Sequence, residues 1–273
     1  MKNLTMFCLS MHPDHLRIIK EFKYIPVGLG KGNFSKEWFQ DNTGVNIAEK
    51  NKYYGEYTFH YWLWKNYLNK VEDGWIGFCQ YRKFWTIEER NQLSNSLYQL
   101  KLLVLNEIPK IYEDFDVILG EEAPINKLKL MKFLKRGFKL ILKNPSYLFN
   151  QDKRNIKFHF DMWHGFDYLQ KAIQLLDNDN REDFSKFVNT KTSFNPHNMF
   201  ICKSKEILKD YYSVVFPWLK RCEDKFGFKT LSGYGKTRIY GFLAERFMSY
   251  WFQKNTKYKT MPIIFHDVRK DLV

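Results

Sequence analysis

The sequence predicts an α/β fold with a mainly parallel central sheet flanked by helices and a helix-rich C-terminal half. Three observations carry this reading. Short apolar runs bounded by turn residues alternate with longer stretches of helical periodicity, the order that buries a parallel sheet on both faces. The chain has 273 residues, 44% of them apolar, enough for a substantial core. The apolar runs also stop abruptly in polar or basic residues, and in open α/β folds ligands sit beyond the carboxyl ends of strands.

The elements follow in order. Leu4 to Leu9 reads as a first buried strand that exits into Ser10-Met11-His12. Tyr24 to Gly28 is a second extended piece, followed by a Gly-rich loop through Gly32, and Asn46 to Lys50 is a loop. Tyr53 to Tyr67 is aromatic on several faces, as a largely buried helix would be. The turn Asp73-Gly74 leads into a strand, Trp75 to Cys79. Helical periodicity spans Glu88 to Ile108, and Asp116 to Leu119 is another strand. Phe166 to Leu176 predicts an amphipathic helix, and Asn198 to Cys202 a strand after the Asn195-Pro196 turn. Lys205 to Lys225 predicts a helix that Pro217 kinks or splits. Thr237 to Lys254 is an aromatic-rich helix and Met261 to Phe265 a late strand.

Composition bounds the partners. A net charge of +14 admits nucleic acid, an anionic membrane surface or a phosphorylated substrate. Aromatics reach 18%, and Trp and Tyr stack on sugars and bases as well as filling cores. None of the four cysteines (Cys8, Cys79, Cys202, Cys222) pairs at a metal or redox spacing, which points to a reducing, cytosolic setting. No signal peptide and no membrane-spanning run is expected.

Six constellations carry candidate chemistry. Gln80-Tyr81-Arg82-Lys83 ends its strand in two cations, suited to a diphosphate or to plain solvation of a strand end. Asp114-Phe115-Asp116 has the spacing of a metal-holding Asp-x-Asp but precedes its strand, so it reads as a strand-entry turn. His159-x-Asp161-x-x-His164-x-x-Asp167 gathers four possible ligands without the two-His zinc spacing, and a general base or hydroxyl contact needs only one of them. Asn195-Pro196-His197-Asn198 brings amide and imidazole groups to a strand start, either for sugar hydroxyls or as turn chemistry. Glu245 and Arg246 sit in an apolar helix, as a catalytic carboxylate or a structural ion pair. Asn126 to Lys143 holds seven cations and no acid. Lys129, Lys132, Arg136, Lys139 and Lys143 fall on one side, and Leu128, Met131, Leu134, Phe138, Ile141 and Leu142 largely opposite. That pattern fits a helix lying on anionic lipid or one packed on the domain.

Taken in order, these segments resemble a family of bacterial glycosyltransferases of capsule, exopolysaccharide and lipopolysaccharide synthesis. The resemblance rests on Asp41 to Ile47, Lys50-Asn51, Tyr61 to Asn66, Gly77 to Phe84, Asn198 to Ile201 and Arg238 to Arg246. This chain departs from the family pattern at Gln80, where relatives have His, and at Lys83, where they have Arg. Gln80 hydrogen-bonds but does not titrate.

The resemblance implies a GT-A-like fold around a Rossmann-like sheet and a nucleotide-diphosphate-sugar donor, with UDP-sugar expected. Helix Glu56 to Tyr67, turn Asp73-Gly74 and strand Trp75 to Cys79 keep the GT-A order, with Gln80-Tyr81-Arg82 in the Asp-x-Asp slot. The expectation is therefore that side-chain cations balance the leaving phosphate and that no metal or other cofactor is used. Donor contacts are expected from His12, Asn46, Lys50, Asn51, Gln80, Tyr81, Arg82 and Lys83. Acceptor contacts are expected from His197 and Asn198, and catalysis from His164, Asp167 or Glu245. The acceptor would be a lipid-linked or growing surface glycan, on the cytoplasmic face of the membrane. One domain is expected: a nucleotide-sugar-binding half (1–120), a basic amphipathic insertion (121–155) and an acceptor-side half (156–273). The rival readings are a non-catalytic nucleic-acid-binding protein and a metal-dependent hydrolase using His159 to Asp167. Against the first, the cations concentrate in one amphipathic segment instead of tracking a groove.

Overall fold

The computed structural model describes residues 3–88, 97–127 and 130–271. Its strands are β1 (Leu4–Ser10), β2 (Ile25–Gly28), β3 (Phe39–Gln40), β4 (Trp75–Gln80), β5 (Lys83–Trp85) and β6 (Val117–Gly120). They continue with β7 (Ala123–Pro124), β8 (Ser193–Phe194), β9 (Phe200–Cys202), β10 (Tyr258–Met261) and β11 (Ile263–Phe265). The main sheet runs β10-β6-β9-β4-β1-β2-β3. All its neighbouring pairs are parallel except the two that β9 makes. β5 pairs antiparallel with β4 and β11, and β7 pairs with β8 in a separate ribbon.

Side chains alternate across this sheet with the two-residue period of a strand. Phe7 and Leu9 of β1, Ile76 and Phe78 of β4, and Val117 and Leu119 of β6 face one core. Met6, Cys8, Trp75, Cys79 and Ile118 face another. The first core is the larger, covered by helices Tyr57–Trp62, Asn178–Thr190, Lys205–Phe226 and Ile239–Asn255. The second is covered by Leu16–Glu21, Leu97–Leu103, β5 and β11. All four cysteines are buried thiols inside this packing.

Several elements differ from expectation. The stretch Tyr53 to Tyr67 is not one helix: Asn51–Tyr54 ends at Gly55, whose φ is +59°, and Tyr57–Trp62 resumes before a π turn, Leu63–Tyr67. Its aromatics are mainly core, with Tyr57, Phe59 and Trp62 buried. Lys205–Phe226 is not split at Pro217. Tyr211, Tyr212, Val215, Trp218 and Leu219 are buried along it, and packing of that size outweighs a proline cost of about 3 kcal/mol. Of the expected Glu88 to Ile108 helix, Leu97–Leu103 is helical and residues 89–96 lie outside the described part. The helix ends before Val104, where the Leu105 N–H turns to the Trp85 carbonyl (2.9 Å), and residues 104–108 are not helical. Asp116 accepts from the Lys257 backbone N–H at the start of β6 (2.9 Å), in the strand-entry role its position suggested. Among the described residues, no helix is long and apolar enough to cross a membrane.

Candidate active site

Parallel pairing places the ends of three strands level. Ser10 of β1 stands beside Gly28 of β2, and Leu9 beside Gln80 of β4. Sheet order changes direction here, since the chain leaves β1 toward β2 on one side while β4 lies on the other. A crevice is expected beyond the carboxyl ends at such a point. It is present, lined by Ser10, Met11, Leu29, Asn51, Tyr81 and Arg82 among others. A second cavity, of about 220 Å³, adjoins it and is lined by Lys83, His197, Asn198, Tyr234, Phe242 and Glu245 among others. Glu56, Gln80 and Arg238 line both.

Gln80 is the hinge between the two spaces. Its Nε2 donates to Glu56 Oε1 (3.2 Å) and to the carbonyl of His197 (2.9 Å), and its Oε1 accepts from Lys83 Nζ (3.1 Å). A neutral imidazole offers one donor and one acceptor, so it does not supply all three bonds. Glu56 also receives Arg238 Nη2 at 3.1 Å. Burial draws the Lys83 amine below its ordinary 10.5, while Glu56 and Glu245 pull the other way and Arg82 and Arg238 add to the lowering. Arg82 is exposed at the rim, its guanidinium carbon 4.9 Å from the Tyr81 ring centre.

The wall opposite is a turn under backbone strain. His197 and Asn198 both have positive φ (83° and 53°), which costs non-glycine residues about 1–3 kcal/mol each. Clamps hold it. Glu245 Oε1 accepts from the His197 N–H (2.6 Å), and Gln80 holds the His197 carbonyl. Asn195, fully buried, donates to the Gly120 carbonyl (2.6 Å) and accepts from Ser249 (2.7 Å). Asn198 Nδ2 reaches the Gly241 carbonyl at 3.4 Å, and its buried Oδ1 has no partner among the described residues. Gly241 lets the helix Ile239–Asn255 approach: a β-carbon there would stand 2.9 Å from the Tyr54 carbonyl oxygen.

Behind Glu245 lies a buried cationic relay. Arg246 Nη1 pairs with Glu245 Oε2, and its Nη2 faces His159 Nδ1 (3.4 Å) and His164 Nε2 (3.3 Å). His164 Nδ1 lies 3.1 Å from the Gly235 carbonyl, which makes it the donor nitrogen and leaves Nε2 as acceptor. Burial lowers both imidazoles from 6.5, His159 to about 3 and His164 to about 2, with Arg246 adding to the effect. The guanidinium thus occupies the point at which the two histidines converge. Asp161 is spent on Lys157 Nζ (2.6 Å) and the Asp167 N–H (3.0 Å).

The expected site residues therefore divide. Gln80, Lys83, His197, Asn198 and Glu245 meet around the larger cavity, and Asn51, Gln80, Tyr81 and Arg82 around the smaller. His164 stands behind the larger cavity, its ring 3.9 Å from that of Phe242. Asp167 stands at the N-cap position of helix Tyr168–Ile173, without a side-chain capping bond, and pairs with Lys171 (3.6 Å). Lys50 Nζ is bound by both oxygens of Glu223 (2.8 and 2.9 Å), which Tyr54 also donates to. The Asn46 side chain closes its own loop onto Gly44 and Ala48. The His12 ring packs 5.6 Å from that of Tyr81, next to the Met11 that lines the crevice. Sequence reasoning did not single out Glu56, Arg238 or Tyr234 as site residues. Their signals were Glu56 straight after Gly55, and Arg238 at the head of the segment that ends in Glu245-Arg246.

No curated protein matches the sequence. Among solved structures, the chain is similar to the apo structure of WbbM, a bifunctional glycosyltransferase, with a TM-score of 0.69 and 21% identity. The match covers 96% of this chain and 45% of WbbM, so the chain spans less than half the length of that protein. The architecture, a largely parallel sheet flanked by helices, is thus a GT-A-like fold shared with a glycosyltransferase. Residues 8–256 match the model of a domain of unknown function, DUF4422, and the chain belongs to that family.

Proposed function

We propose that this protein is a glycosyltransferase that moves a sugar from a nucleotide-diphosphate donor to a hydroxyl of a growing or lipid-linked surface glycan. The observation that carries the reading is the junction at Gln80. A crevice beyond the strand ends, lined by Arg82 and by Arg238 from the head of helix Ile239–Asn255, opens there into a cavity with a carboxylate, Glu245, on its wall. The diphosphate fits the first space, where two guanidinium groups offer planar, bidentate contacts. The sugar passes Gln80 into the second space, whose wall carries His197, Asn198 and Glu245.

In this reading the acceptor oxygen bonds to the anomeric carbon while the bond from that carbon to the diphosphate oxygen breaks. The acceptor proton passes to Glu245, and Arg82, Arg238 and Lys83 offset the charge gathering on the leaving diphosphate. These side chains take the part that a divalent metal plays in Asp-x-Asp enzymes, so transfer proceeds without one. The resemblance of the ordered segments and the shared fold support the same class, and a UDP-sugar is the donor to test first.

A thermal-shift panel of nucleosides, nucleoside diphosphates and nucleotide sugars, with and without manganese, tests donor class and metal need together. Diphosphate forms should stabilise the protein and nucleosides should not, irrespective of manganese. Arg82→Ala should abolish that stabilisation and cut transfer while leaving the melting temperature of the free protein in place. Transfer at the original rate by Arg82→Ala would remove the assignment. Stabilisation that depends on manganese would remove the metal-free mechanism alone.

A further inference from the structure

The helix Leu130–Lys143 has two apolar faces, and the fold uses one. Phe133, Leu140 and Ile141 turn inward and build a small core with Phe158 and Met162. Met131, Leu134, Phe138 and Leu142, spaced three or four residues apart, form a second stripe that is 78%, 39%, 58% and 65% exposed. Phe149 (87%) and Phe166 (52%) extend the exposed apolar surface on neighbouring segments. Lys143 joins Phe166 to the patch, its Nζ 3.8 Å from the ring centre.

The cations lie on the flank of that stripe. Lys135, Arg136, Lys139 and Lys143 are all exposed, and residues 126–143 contain no acid. Sequence alone left two readings open, packing on the domain or lying on lipid. The helix does the first with its inner face, and of the residues assigned to the apolar side only Ile141 among those described takes part. The outer stripe takes no part in the small core, yet it leaves apolar area in water, which soluble surfaces keep small. An apolar stripe bordered by a one-sign cationic flank complements one environment closely: acyl chains beneath anionic headgroups.

We propose that this helix docks the protein on an anionic lipid bilayer, with Met131, Leu134, Phe138 and Leu142 at the headgroup boundary and the Lys/Arg flank on the lipid phosphates. The surface is one helix away from the candidate active site. Its inner face packs on Ile156–His164, whose last residue stacks on Phe242 in the larger cavity. A protein held there works beside a membrane-borne acceptor, but the docking inference does not depend on the transfer reading.

The test is co-sedimentation of the full chain with phosphatidylcholine vesicles, with and without phosphatidylglycerol. Binding should require phosphatidylglycerol and fall as salt rises. The double variant Phe138→Ser/Leu142→Ser should lose about a hundredfold in vesicle affinity, because each buried apolar side chain is worth about tenfold. Lys135→Glu/Lys139→Glu should lose a similar factor and flatten the salt dependence. All four side chains are exposed, so circular dichroism should register an intact fold. Equal binding to neutral and anionic vesicles, variants that bind like the original, or a solution dimer abolished by Phe138→Ser/Leu142→Ser would each overturn the inference. A donor-induced thermal shift that survives in the variants would leave the transfer reading standing by itself.

Discussion

Gly55 leaves the space that Arg238 fills: a β-carbon built at Gly55 would overlap the Nη2 of Arg238. The same Nη2 donates to Glu56 at 3.1 Å, so one missing side chain positions an ion pair shared by both cavities. Gly55→Ala should act twice. Its φ of +59° disfavours any side chain, by about 1–3 kcal/mol, and the methyl displaces Arg238. The variant should melt lower and lose donor-induced stabilisation, whereas Arg238→Ala should lose the second property with a smaller effect on the first. Donor binding by Gly55→Ala equal to that of the original protein would separate Arg238 from the site.

The three bonds of Gln80 set a second expectation. Gln80→Glu replaces a donor facing Glu56 Oε1 and the His197 carbonyl with an acceptor, leaving like groups opposed. A lost bond to a charged partner is worth about 1.5–3 kcal/mol, and the new repulsion adds to it. The value of kcat/KM for the donor should fall at least about tenfold. Gln80→His should fall less, and its pH profile should depart from that of the original protein between about pH 5 and 8, since the added imidazole titrates there. Parallel pH profiles for Gln80→His and the original protein would count against a role for this side chain.

Much of the sheet was legible because a strand buried on both faces must be apolar throughout. Leu4 to Leu9, Trp75 to Cys79 and Asp116 to Leu119 lie within a residue or two of β1, β4 and β6. What escaped was short, polar or remote. β3 has two residues and β5 three, too few for a pattern. Asn178–Thr190 is a polar helix that buries little beyond Phe184, Val188 and Asn180. The Glu56–Arg238 pair joins residues 182 apart, and the break at Gly55 is hidden inside an unbroken aromatic run. His159 and His164 stand in one nine-residue stretch of possible ligands, but their spacing could not place Arg246 against both.

Lys83 gives the alkaline side of the pH profile. Burial makes its ammonium less favourable in the folded protein, so it deprotonates below the usual lysine value of 10.5. Between the folded and unfolded values the unfolded chain binds more protons, so folding stability gains slightly as pH rises there. Activity moves the other way, since the cation facing Glu56 and Glu245 disappears. The alkaline limb of kcat/KM should therefore begin earlier than a free lysine predicts. Lys83→Arg should remove that limb, because guanidinium keeps its charge. A limb that persists unchanged in Lys83→Arg belongs to another group.

Buried imidazoles give the acid side of stability. His60 and His159 are lowered from 6.5 to about 3 and His164 to about 2, each first by burial. Below pH 6.5 the unfolded chain takes protons that the folded one refuses, so stability falls as pH drops toward these values. By pH 5 the loss is at most roughly 2 kcal/mol per histidine. Urea midpoints should decline from pH 7 to pH 5, and His164→Gln should decline less steeply. A flat midpoint over that range would contradict neutral, buried imidazoles.

Glu245 and its support should separate kinetically. Glu245 lines the cavity, while His164 stands behind it, against Arg246 and the lining ring of Phe242. Glu245→Gln keeps an acceptor for the His197 N–H but removes both the base and the counter-charge of the buried Arg246, so transfer should drop by about 10²–10⁴ and the melting temperature should fall as well. His164 is a positioning residue in this scheme. His164→Gln can still accept from Arg246, and should lose far less in kcat, with KM for the donor unchanged. His164→Phe offers no acceptor to the buried guanidinium and should lose more than His164→Gln, both in stability and in kcat. Loss of transfer in His164→Gln as deep as in Glu245→Gln would move proton transfer from the carboxylate to the imidazole.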